Sequence, residues 1–141
     1  MTKIDRQLSS KEVLEKRVGH ALRYLGDRSI LNRSPLSRIA FIERLAMEEY
    51  SGRLLPRGAA LNDVLNSAIE QVLQEIGGEP RLDKTCTYLR LLMHGLSGTQ
   101  ISKELQLSRE HVCRHYRRIA IQLVTDVFLS RIKGSEQKLI N

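Results

Sequence analysis

The chain has 141 residues, a formal net charge of +7, 28% charged residues, 4% aromatic residues and no Trp. That length suffices for one packed domain or two small ones. No run of eighteen apolar residues occurs, which excludes a transmembrane helix. The opening Met1 to Leu8 is polar with no apolar core to follow, so no signal peptide is expected. The two cysteines, Cys86 and Cys113, then read as free thiols of a cytoplasmic protein, with Cys86 a small buried hydrophobe.

Nothing reads as a strand, and the expected fold is all-α: a helical bundle, then a helix-turn-helix domain with a long C-terminal helix. Ser9 and Glu12 can form a capping box, followed by a stripe of Leu14, Val18, Ala21, Leu22 and Leu25 that Gly26-Asp27 closes. Ser34-Pro35 opens the next helix, with Pro at its first position, lined by Leu36, Ile39, Ala40, Leu45 and Ala46. Gly52 and Pro56-Arg57-Gly58 form a break. Leu61, Val64, Leu65, Ala68, Val72, Leu73 and Ile76 then share one helical face, ended by Gly77-Gly78. Residues 1–77 are thus expected as a helical bundle serving dimerisation or partner binding. The short Gly77-Gly78-Glu79-Pro80 break predicts that it touches the second domain, 81–133, and residues 134–141 read as a polar tail.

The second domain carries the functional signal. A helix is expected from about Asp83 to His94. Ser97 can cap a short helix that buries Ile101 and Leu105 and ends near Gln106. Leu107 fills the bend, and Ser108 caps a further helix with an inward stripe of Val112, Tyr116, Ile119 and Leu123. Two capped helices held at a steep angle describe a helix-turn-helix.

Gly95-Leu96-Ser97, Ile101, Leu105, Leu107-Ser108, Val112, His115 and Ile119 resemble the LuxR-type helix-turn-helix, and also the fourth region of bacterial sigma factors. The resemblance spans about residues 83–123. It implies that the exposed side of the second helix meets bases and phosphates, at Cys113, Arg114 and Arg117, with His111 just before them. Cys113 stands where that family often has a basic residue. The chain also lacks the Lys-Leu-Gly-Val ending and runs on from Ala120 to Phe128.

Charge agrees with that placement. Residues 81–118 hold 8 Lys and Arg against 3 Asp and Glu, whereas residues 1–80 hold 12 against 11. Local positive charge is what a phosphate backbone rewards, through counterion release and faster encounter. Arg109, Arg114 and Arg117 can each address guanine with two hydrogen bonds, and Glu110 can accept from a cytosine amine or serve the helix dipole. The expected base contacts are therefore Arg109, Glu110, Cys113, Arg114 and Arg117. Thr99 and Gln100 open the preceding helix near the phosphates, and Lys103, His111 and Arg118 complete the backbone contacts.

No metal site is expected, because His111 and His115 lack further ligands at zinc-site spacing. No catalytic constellation, phosphate loop or dinucleotide fingerprint is present, so neither an enzyme nor a cofactor is expected. From Arg118 to Ile132 apolar residues surround much of a helix. The surplus asks for the N-terminal bundle or a second copy of the chain, and a homodimer with contacts at Leu123, Val127 and Phe128 is expected. The sequence reads as a cytoplasmic transcriptional regulator binding double-stranded DNA, with RNA polymerase or another protein as a further candidate partner and no membrane. One alternative is a sigma-like or DNA-targeting subunit of a larger complex. The other is a helical protein adaptor, whose mark is Arg114 and Arg117 paired to carboxylates.

Overall fold

The computed structural model describes the backbone of residues 3–140 and the side chains of residues 10–135. Among the described residues the fold is all-α with no strand, and no helix is long and apolar enough to cross a membrane. Helix α1 (Lys3–Arg23) buries Val18, Ala21 and Leu22 and half-buries Leu14 and Leu25. Its backbone is already helical at Lys3, ahead of the expected start at Ser9. The Ser9 side chain and the reading of Met1 to Leu8 as lacking a leader lie outside the described side chains. The chain turns at Gly26, at φ +92°, and the Gly26 N–H donates to Asn62 Oδ1 at 2.8 Å.

The next segment differs from the sequence reading. Asp27 caps a short helix, α2 (Arg28–Arg33), by accepting from the Ile30 N–H. Six residues are too few to display a period, so this helix left no stripe to read. Ser34 does cap, accepting from the Leu36 N–H, but it opens only a single 3-10 turn, Pro35–Arg38. The Ser37 hydroxyl, donating within reach of both Asn32 O and Ser34 O, ties that turn down over the fully buried Leu36. Ile39 is extended, and α3 (Ala40–Glu49) starts only after it.

Helix α4 (Pro56–Ile76) includes the Pro56-Arg57-Gly58 segment expected as a break. Pro56 sits in the first turn, where its missing N–H costs nothing, and the turn in the chain falls earlier, at a left-handed Leu55. Gly58 is where α4 crosses α2. A Cβ there would collide with the Arg28 carbonyl oxygen, and the Gly58 N–H donates to Asn32 Oδ1. The glycine is required by close approach rather than by chain flexibility. The expected face of α4 is buried at Leu61, Val64, Leu65, Ala68, Val72 and Ile76.

A 3-10 turn at Pro80–Leu82 leads into α5 (Asp83–Met93). There follow α6 (Gly98–Leu105), α7 (Arg109–His111), a π-helical turn at Val112–Arg117 and α8 (Arg118–Ile140). Val112 and Arg118 both keep right-handed helical angles, so the backbone runs helically from Arg109 to Ile140 without interruption. The helix thus continues through residues 134–140, and the side chains from 136 onward lie outside the described residues.

Helix α8 packs on α1, α3, α4 and α5, and one apolar core connects all of them. This packing inside the chain corrects two of the three expected dimer contacts, Val127 and Phe128. Phe128 is fully buried and Val127 nearly so, and neither has surface to offer a second copy. Leu123 is half-buried against the same core. Arg131 fastens the outer side of the packing, donating to Ser67 Oγ and Gln71 Oε1, each at 2.9 Å, on α4.

Gly58→Ala should lower stability by about 1–3 kcal/mol, the usual cost of forcing volume into a filled contact. An ordinary helical glycine would gain about 0.5–1 kcal/mol from the same change. Urea unfolding of both proteins checks this, and an unchanged or raised midpoint would mean that the α2–α4 crossing is not tight.

Candidate nucleic-acid interface

Ser97 caps α6 reciprocally with Gln100. The Gln100 N–H donates to Ser97 Oγ, and the Ser97 N–H donates to Gln100 Oε1 at 2.8 Å. This capping box satisfies two of the amide donors that a helix start leaves unpaired. The helix buries Ile101 completely and Leu105 partly. It stops at Gln106, which is left-handed at φ +57°, and the Leu107 N–H donates back to Ser102 O. Leu107 is half-buried in the bend. Ser108 then accepts from the His111 N–H and caps α7, and Val112 anchors the second helix in the core.

These caps and anchors leave a polar face outside. Arg109, Glu110, His111, Cys113, Arg114 and Arg118 are all exposed, as are Thr99, Gln100 and Lys103 on α6. Arg114 and Glu110 form an ion pair at 2.8 Å, with side chains 80% and 67% exposed. An exposed pair at this helical spacing is worth about 0.3–0.5 kcal/mol, little enough for a phosphate or base to displace. Among the described residues Arg109, Lys103 and Arg118 form no ion pair. His111 and His115 stack with ring centroids 5.6 Å apart, and both meet Tyr116 edge-on. No group of three metal-capable side chains occurs among the described residues, and Cys86 is buried while Cys113 is exposed.

Arg117 departs from its expected role. It is half-buried and donates to the Gly19 carbonyl at 3.2 Å, which turns it towards α1. The two helices meet closely there: a Cβ on Gly19 would lie 2.8 Å from Ile121 Cδ1. Beneath them burial pushes the Tyr88 phenol above its usual value, while the nearby charges of Arg117 and Arg23 pull it back. Cys113 and Arg117 line a cleft of about 420 Å³ whose other wall is α1. Of the expected residues, the structure therefore gathers Arg109, Glu110, His111, Arg114 and Arg118 on the continuous helix that begins at Arg109, the outer helix, and turns Arg117 sideways. The adaptor mark is present only in part, since Arg114 meets a carboxylate of its own helix and Arg117 meets a carbonyl.

The proximity of α1 was missed by sequence reasoning. The available signal is Gly19, which sits in mid-helix, where glycine is disfavoured by about 0.5–1 kcal/mol relative to Ala and marks a close approach. In comparisons with known proteins, the chain matches no family model, no curated protein and no solved structure.

Ser97→Ala should cost about 0.5–2 kcal/mol of stability, because it leaves a helix-start amide without its partner. Thermal unfolding reads this, and an unchanged melting temperature would show that the capping box contributes nothing to holding α6.

Proposed function

We propose that the chain is a sequence-specific double-stranded DNA-binding transcriptional regulator, acting by occlusion or recruitment at a promoter without covalent chemistry. The single observation that carries the reading is the pair of serine-capped helices joined through a left-handed turn, with Arg109, Arg114, Arg118 and Lys103 exposed outside. The concentration of basic residues in 81–118 supports the same reading.

In this reading Arg109 and Arg114 address base edges. Glu110, once Arg114 leaves it, accepts from a cytosine amine. Thr99, Gln100, Lys103, His111 and Arg118 meet the phosphates. Cys113 and Arg117 border the α1 cleft and leave base reading to Arg109, Glu110 and Arg114.

Duplexes enriched from a random pool should bind the protein in a salt-dependent way. Arg114→Ala should reduce discrimination between enriched and scrambled duplexes by about 1–3 kcal/mol. Lys103→Ala should weaken both equally and lower the salt slope by about one. A parent protein that binds no duplex at low salt overturns the reading and favours a protein-only adaptor. Equal weakening on both duplexes for Arg114→Ala would move base reading to Arg109 and Glu110.

A further inference from the structure

The cleft between α1 and the outer helix has a composition that the helix-turn-helix alone does not explain. Lys16 and Arg23 of α1 face it together with Arg117 and Arg118 from the C-terminal helix. The two groups are more than ninety residues apart in the chain. Two carboxylates, Glu12 and Glu15, line the same cleft, yet among the described residues neither forms an ion pair with any of the four cations. Elsewhere on the same pair of helices such pairing does occur, between Lys11 and Asp126 at 3.6 Å. With four Lys and Arg side chains against two Glu, the lining keeps an excess of positive charge that a further anion would offset.

Geometry keeps the opening in place. Gly19 lets α1 approach Ile121 closely, and Arg117 is held by the Gly19 carbonyl, so the walls are tied at their base. The cleft borders Cys113 and Arg118 on the helix that carries the exposed Arg114.

We propose that this cleft is a phosphate-binding site, filled by the DNA backbone beside the reading helix, with Lys16 and Arg23 as contacts supplied by α1. The inference rests on the DNA-binding reading for the source of the phosphate, but not for the site itself. It makes the first helix part of the DNA footprint, so that residues at the two ends of the chain grip the same duplex.

The test uses the full chain and a Lys16→Ala/Arg23→Ala double variant. Both side chains are exposed, and circular dichroism and thermal unfolding establish that the variant folds. Binding to a mixed-sequence duplex is measured across a salt series. The expected result is a salt slope lower by about two in the variant, one for each cation removed from a phosphate. An unchanged slope beside a DNA-binding parent overturns the inference and leaves the function intact. If the parent binds no duplex, the functional reading fails, and inorganic pyrophosphate then decides the cleft. Protection of the parent against thermal unfolding, absent in the double variant, keeps the phosphate site with a free phosphate compound as its source. Equal or absent protection in both proteins removes it.

Discussion

The outer helix can present side chains to a partner only because its continuation is buried. Ala120, Val124 and Phe128 are fully buried where α8 passes α1, α4 and α5, and burying an aromatic or branched side chain contributes about 1.5–3 kcal/mol each. From Arg109 to Ile140 the backbone stays helical, so no loop separates the buried half from the exposed one. The direction of Arg109 and Arg114 is therefore set by packing many residues away. Arg131, bonded to Ser67 and Gln71, limits rotation at the other end. Domains that read a ligand with a separate, flexibly tethered module lack this coupling.

Two glycines set how closely the remaining helices gather around that axis. Gly58 lets α4 press on α2, and Gly19 lets α1 press on the outer helix. The second contact has the larger functional consequence. It takes Arg117 from the exposed side and fixes it against a carbonyl, while leaving Arg114 in a weak, exposed pair. Two arginines three residues apart thus acquire different uses through one neighbouring backbone. The Arg117 guanidinium still adds to the local field, which acts over roughly a Debye length of 8 Å at physiological salt.

The sequence made the periodic elements legible. The stripe of α1 at Val18, Ala21 and Leu22, the long face of α4, and the serine caps at Ser97 and Ser108 follow from spacing and cap chemistry, and each has the burial or hydrogen bond that such a reading requires. Other features were not legible, for physical reasons. Helix α2 is shorter than two turns and has no period to detect. Gly58 is ambiguous because a glycine signals a loop and a close approach alike. Phe128 on a helix apolar around most of its surface does not declare whether its partner is the same chain or another. For Arg117, the presence of α1 is a long-range fact that no local window contains.

The π-helical turn explains why Val112, Ala120 and Val124 are buried together, while Tyr116, Ile119 and Leu123 of the expected inward stripe are only half-buried. Val112 and Val124 are both buried, yet they stand twelve residues apart in sequence. At 3.6 residues per turn they would be misaligned by about a third of a turn. A π-helical turn closes its hydrogen bonds one residue later than an α-helical turn, which takes up about 100° of that error. With the turn at Val112–Arg117, Val112 comes nearly into line with Ala120 and Val124. The same wall of side chains can then anchor both the reading end and the buried end. Without it, a straight α-helix that buried Ala120, Val124 and Phe128 would swing Val112 outward and loosen the bend at Leu107. The apolar residues spread around the helix are thus partly two faces of one stripe, displaced from each other by the wider turn. This register change falls within the segment that carries both the buried Val112 and the exposed Arg114, where an uninterrupted helix must serve core and surface with one backbone.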